Sequence, residues 1–208
     1  VGQWTLPTDY RKTHPEWLLD VNGASILNPG LPEVTEQIVK VIREIVKNYD
    51  IDGVLFDDYF YLQGTPTDSS GDGDLYNAYV EAGGTMSHGD WRRDNVNRMV
   101  QSVYDMIQEE KPWVRFGISP AGVSCTTAAH AAKYGIEPCK SGSDWQYSGI
   151  YSDPIAWIAN HSLDYISPQV YWSIGYSIAD FSIITPWWAN VAAKYNRHFY
   201  TSHDISSL

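Results

Sequence analysis

The sequence predicts an α/β fold, an incomplete (β/α)8 TIM barrel that holds about five carboxy-terminal βα units. Three observations predict it. Apolar strand-like runs alternate with amphipathic helical runs, the pattern of a parallel sheet with helical crossovers. Helix-to-strand turns are tight while strand-to-helix loops are long, as in a barrel that builds its site from those loops. The 208 residues also fall short of the ~250 of a whole barrel. The chain therefore reads as one domain, residues 1–208, with the opening barrel strands lying before Val1.

The elements follow in order. Ser25-Ile26-Leu27 is a first strand, ended by the turn Asn28-Pro29-Gly30. Pro32 starts a helix to about Tyr49, with Val34, Ile38, Val41, Ile42 and Ile45 at helical spacing. Gly53 to Phe56 is the next strand, followed by a long Gly-, Ser-, Thr- and Asp-rich loop from Gln63 to Gly89. Loops of that length in a compact domain are functional or disordered. Asp90, a suitable N-cap, opens a helix to Lys111 with a stripe of Val96, Met99, Val100, Val103 and Ile107. Val114 to Ile118 is a strand tipped by Ser119-Pro120, and a second long loop runs from Ala121 to Ser152. A short helix follows Asp153-Pro154, and Tyr165 to Trp172 is a strand with a polar tip. A helix from about Thr185 to Tyr195 and a strand from His198 to Ser202 complete the series.

Composition narrows the function. A net charge of -11 argues against a nucleic-acid partner, whose phosphates demand a basic face, and equally against anionic lipid. No apolar run reaches the ~18 residues of a membrane span. Cys125 and Cys139 form no CxxC motif and read as ordinary thiols, with a disulfide neither required nor excluded. The six histidines show no HExxH or other metal spacing, so neither a metal nor a cofactor is expected. Nucleotide-binding glycine loops and GxSxG are absent, which disfavours nucleotide enzymes and serine hydrolases.

The chemistry concentrates at strand ends. Asp52-Gly53-Val54-Leu55-Phe56-Asp57-Asp58-Tyr59-Phe60-Tyr61 is a short buried-strand run ending in two carboxylates and three aromatics. Carboxyl ends of parallel strands are where reacting groups sit. Strand alternation puts Leu55 and Asp57 on one face and Phe56 and Asp58 on the other. Phe56 suits the helix layer, so Asp57 faces the barrel axis while Asp58 lies at the rim. A solvated acidic strand cap is the plainer alternative. Arg92 and Arg93 stand at a helix start, against the dipole preference for acids there, so each needs a partner. A substrate carboxylate, Asp57 or Asp58 would serve. Ser119 and Gln169 end the next two strands, with Tyr171 and Trp172 after Gln169. Gln and Tyr there suit hydrogen bonds to hydroxyls or an acetamido group, and Trp172 suits a stacking wall. Asp144-Trp145 forms a second acidic-aromatic pair, which makes Asp144 a candidate second carboxylate, and His203-Asp204 closes the last strand in the same manner.

Asn28-Pro29-Gly30, the Asp52–Tyr61 run, Trp91-Arg92-Arg93-Asp94-Asn95-Val96-Asn97, Phe116-Gly117-Ile118-Ser119-Pro120 and Tyr165-Ile166-Ser167-Pro168-Gln169-Val170-Tyr171-Trp172 together resemble the glycosyl-hydrolase-like 10 family. The resemblance runs in order from about Pro15 to Asp204. It implies a bacterial (β/α)8 barrel, exported or lipid-anchored, that cleaves peptidoglycan glycan strands stripped of their peptides. On it, Asp57, Asp58 and Asp144 are the catalytic candidates. Asn28, Tyr59, Tyr61, Arg92, Arg93, Ser119, Trp145, Gln169, Tyr171, Trp172 and Asp204 are the candidates for holding sugar.

Two carboxyl groups flanking the glycosidic bond are the ordinary requirement, with Asp58, Asp144 or Asp204 as partner to Asp57. Adjacent acids also suit a substrate-assisted route through the sugar's acetamido group. Two rival readings stand beside hydrolysis. One is a non-catalytic glycan-binding barrel module. The other is an assembly fragment whose open core and exposed sheet edges drive self-association.

Overall fold

The structure, a computed structural model, describes residues 9–57 and 59–204. A short helix, Tyr10–Thr13 (α1), precedes an antiparallel hairpin of Leu18–Val21 (β1) and Ala24–Leu27 (β2). Its turn residues Asn22 and Gly23 both take positive φ, the Asn-Gly pairing that a tight two-residue hairpin turn favours. Next come Pro32–Asn48 (α2), Gly53–Asp57 (β3), Gly73–Glu81 (α3), His88–Glu110 (α4) and Arg115–Ser119 (β4). Ala128–Lys133 (α5), Trp145–Gly149 (α6), Pro154–Ala159 (α7), Tyr165–Ile166 (β5), Phe181–Lys194 (α8) and His198–Phe199 (β6) follow. The last four strands make one parallel sheet in the order β3-β4-β5-β6.

The α/β class and the parallel sheet are as the sequence predicts, with corrections to individual elements. Ser25–Leu27 does not join the parallel series. The Asn22-Gly23 turn folds it straight back onto β1 instead. The described residues thus hold four parallel strands rather than five, and their sheet is open rather than closed into a barrel. The run from Tyr165 to Trp172 contracts to a two-residue strand, because Pro168 offers no N–H to the ladder. Pairing resumes as single bridges of Gln169 to Ala121 and to Ser202. The long loops contain α3, α5 and α6. Helix α4 starts two residues earlier than expected: Ser87, not Asp90, is its N-cap, and its Oγ accepts from the Asp90 N–H at 3.1 Å. Helix α8 likewise starts at Phe181 under an Asp180 cap, with Pro186 inside it.

Packing is one-sided. On α2 the stripe facing the core is Val34, Ile38, Val39, Ile42 and Val46, while Val41 and Ile45 stay exposed. The predicted stripe of α4 is buried throughout, joined by Met106. These helices, with α7 and α8, bury one face of the sheet, where Phe56 meets Phe116 edge-on at 5.1 Å and Ile118 and Ile166 are fully enclosed. Phe56 therefore faces the helix layer, as alternation requires. The opposite face carries Leu55 at 53% exposure and Tyr200 at 58%. Parallel sheets ordinarily bury both faces, so this one is covered on one side only within the described residues. A cavity of about 510 Å³ opens among Asp52, Gly53, Arg115, Asp164, Tyr165, His198 and Tyr200. It lies at the amino ends of the strands, away from Asp57. No described helix is long and apolar enough to cross a membrane.

Candidate active site

The strand register stacks the uncovered face in layers. Leu55, Gly117, Tyr165 and His198 lie abreast, and the ring of Tyr165 occupies the space where any Gly117 side chain would stand. Two residues further along each strand, Asp57 pairs with Ser119. The next level holds Ala121, Gln169 and Ser202. Asp57 is thus the exposed carboxyl tip of β3 on the predicted face. The amide Nε2 of Gln169 donates to Asp57 Oδ1 at 2.7 Å and to the Ser119 carbonyl at 2.9 Å. Beneath it, Ser202 Oγ lies 3.0 Å from both Ser119 Oγ and Ser167 Oγ and donates to the Ser167 carbonyl at 3.0 Å. Asp57, Ser119 and Gln169, predicted separately from three strand ends, form one connected polar cluster.

Aromatic groups stand beside it. Tyr59, 55% exposed, meets Trp145 edge-on at 6.3 Å, and Trp145 Nε1 donates to Gln63 Oε1 at 3.0 Å. That bond ties the loop after β3 to the loop after β4. Tyr171 is exposed and Trp172 half-buried next to the Gln169 bridge. Asp204 and His203 are exposed beyond β6, with His203 Nε2 2.7 Å from Thr201 Oγ1. Asp58 lies outside the described residues.

Other candidates have structural employment. Arg92 is wholly buried: Nε donates to Asp72 Oδ2 at 2.8 Å, Nη2 to Asp72 Oδ1 and to the Pro66 carbonyl (2.5 Å), and Nη1 to the Thr65 carbonyl at 3.2 Å. The partner of Arg92 is therefore Asp72, in its own loop, rather than Asp57, Asp58 or a ligand. Arg93 donates to the Tyr147 carbonyl at 2.7 Å and to Asp90 at 2.9 Å, and lies over the Tyr147 ring at 3.9 Å. Tyr61 is fully enclosed against Tyr151, with burial driving its hydroxyl far up from the usual phenol range. Asn28 is buried and accepts the Gly30 N–H at 2.9 Å, closing the turn the sequence marks there.

Asp144 is a loop anchor. It accepts from Thr126 N–H (2.8 Å), Thr127 N–H (3.3 Å) and Thr127 Oγ1 (2.7 Å), and faces His130 Nδ1 at 3.4 Å. Burial opposes its ionisation, but those hydrogen bonds and His130 outweigh it and hold the carboxyl below its usual range. A group so held is a poor proton donor at neutral pH. Its partner His130 is 3% exposed and also faces Asp153 at 3.2 Å, which accepts from the Tyr134 hydroxyl at 2.6 Å. Sequence reasoning missed this buried His130–Asp144–Asp153 chain, as well as Asp72. The sequence signals toward that chain are the Asp144-Trp145 pair and the position of Asp153 ahead of Pro154, a helix start. Cys125 and Cys139 are buried free thiols, and burial pushes Cys125 up to about 12. Among the described residues no group of three or more His, Cys, Asp or Glu is placed to hold a metal ion.

Comparison with known proteins follows the same residues. The sequence profile described as glycosyl hydrolase-like 10 matches residues 5–207. The chain is 37% identical over 193 residues to glycosyl hydrolase YngK of Bacillus subtilis (strain 168), covering 91% of this chain and 36% of that one. It is 35% identical over 198 residues to glycosyl hydrolase DigH of Escherichia coli (strain K12), covering 93% and 42%. It thus spans well under half the length of either relative. Among solved structures, the GH36 α-galactosidase AgaA of Geobacillus stearothermophilus aligns over 96% of this chain and 26% of its own. The TM-score is 0.36 and the identity 14%, too loose a likeness to carry an argument.

Proposed function

The chain belongs to the glycosyl hydrolase-like 10 family, and from that premise we propose that it is the carboxy-terminal part of a (β/α)8 O-glycosyl hydrolase acting on N-acetylated peptidoglycan glycan strands. The observation that carries this reading is Asp57. It is an exposed carboxylate at the carboxyl tip of a parallel strand, braced by Gln169 and followed two residues on by Tyr59, whose ring meets Trp145. Sugars present C–H faces that stack on such rings, and glycoside hydrolysis needs carboxyl groups at the reacting carbon and the leaving oxygen. Asp57 acts as one of the pair. Asp58 and Asp204 are the candidates for its partner from this chain, since Asp144 is engaged in anchoring its loop. The uncovered sheet face supports barrel completion by further strands of the whole protein, which would enclose Leu55 and Tyr200. A substrate in the cell wall also supports action outside the cytoplasm, which cell fractionation reads directly.

The test is hydrolysis of peptide-free glycan strands by the full-length protein, wild type beside Asp57→Asn, with products read by mass spectrometry. The expected loss in the variant is roughly a thousandfold or more, with unchanged thermal stability. Full turnover by Asp57→Asn would remove Asp57 from the chemistry. Glycan retention without cleavage by wild type would establish the binding-module reading instead.

A further inference from the structure

Resting on the reading of Asp57 as a reacting carboxylate, we propose that Gln169 is its positioning residue, an amide brace that fixes the Asp57 carboxylate from two strands away and does not itself contact sugar through its amide N–H groups. The brace crosses the sheet. Asp57 ends β3, Gln169 follows β5, and the amide passes over β4, whose Ser119 carbonyl it also holds.

Two features separate bracing from substrate binding. A primary amide has two N–H donors, and Nε2 of Gln169 has two acceptors, Asp57 Oδ1 at 2.7 Å and the Ser119 carbonyl at 2.9 Å. Both donors are engaged, so none remains for a sugar hydroxyl. The backbone of Gln169 is pinned as well. Its N–H donates to the Pro120 carbonyl at 2.8 Å, and it bridges Ala121 on one side and Ser202 on the other. Several staggered rotamers are open to a side chain at an exposed strand tip. A donor fixed to the neighbouring strands selects one, which is how supporting residues hold a reacting group within about half an ångström of its working position.

The experiment uses the full-length protein and peptide-free peptidoglycan strands, with Asp57→Asn, Gln169→Met and Gln169→Ala beside wild type. Met keeps the length of Gln and removes the donors. Both Gln169 variants are expected to lower kcat about 10- to 100-fold, the cost of a slightly misplaced reacting group. KM should stay within about twofold, since the donors removed are already engaged by Asp57 and the Ser119 carbonyl. Wild-type kcat in Gln169→Met, with Asp57→Asn inactive, overturns the brace and leaves Asp57 standing. A raised KM at unchanged kcat makes Gln169 a sugar contact and overturns it equally. Full turnover by Asp57→Asn sinks the reading of Asp57, and the brace with it. A crystal structure of the full-length Gln169→Met variant tests the brace without any turnover. The Asp57 carboxylate is expected to leave its wild-type rotamer, and an unmoved carboxylate overturns the proposal.

Discussion

Replacing Arg92 by Met separates a structural clamp from a ligand-binding cation. Arg92 and Asp72 both have 0% side-chain exposure, and the guanidinium makes four hydrogen bonds, two to Asp72 and one each to the carbonyls of Thr65 and Pro66. It also lies 4.6 Å from the centre of the Tyr151 ring. The Met variant leaves the Asp72 carboxylate buried without its guanidinium and two loop carbonyls without their donor. Removing one member of a buried ion pair costs about 3–5 kcal/mol. At about 2–4 °C per kcal/mol for a chain of this size, Tm should fall by roughly 6–20 °C. Adding Asp72→Leu should recover part of that loss, because it removes the unpaired buried carboxylate, while the Thr65 and Pro66 carbonyls still lack their donor and His88 loses its partner. Thermal unfolding followed by circular dichroism reads both variants. A Tm within about 2 °C of wild type for Arg92→Met, less than 1 kcal/mol, would refute the clamp. A KM effect without a stability loss would restore Arg92 as a substrate contact.

Two further outcomes follow from the same packing. Asp144→Asn should cost about 1–3 kcal/mol at neutral pH through its lost loop hydrogen bonds. The folded-state carboxyl is held below its unfolded value, so its stabilisation is present above the ordinary Asp range near ~3.9 and is lost as pH falls through the folded value. The Tm gap between wild type and variant should therefore close on acidification, and a pH-independent gap contradicts the anchor. Leu55→Ala should change the stability of this 208-residue chain by no more than about 0.5 kcal/mol, as for a surface site. In the full-length protein it should cost about 2–5 kcal/mol, as for a core site. Equal effects in the two would argue against barrel closure over that face.

What could be read beforehand divides by physical origin. The strand from Gly53 to Asp57 was legible because its period of two put Leu55 and Asp57 on one face and Phe56 on the other. The helical stripe of α4 was legible for the equivalent reason at a period of 3.6. The strand-end positions of Asp57, Ser119 and Gln169 followed from where apolar runs stop, and the register gathers them. The hairpin of β1 and β2 has its one local signal in Asn22-Gly23, since strands of four residues are too short to show a period of their own. Pairings across loops left no trace, because no periodicity couples Arg92 to Asp72 or His130 to Asp144 and Asp153. Long loops bring such groups together only after the sheet has set their ends.

That division explains why the acidic candidates behave so differently. Asp72, Asp144 and Asp153 lie in or beside the long loops, and each accepts hydrogen bonds that hold a segment in place. Asp57 sits at the end of a regular strand, where the ladder fixes the backbone and Gln169 donates to its carboxylate. Loop-derived sites need internal anchors before they can present anything to a ligand. The Arg92–Asp72 and His130–Asp144–Asp153 groups therefore hold the long loops in place. The strand-tip carboxylate of Asp57 is exposed and accepts from Gln169. Chemistry at this site should accordingly respond to changes at Asp57 and Gln169, and stability to changes at Arg92 and Asp144.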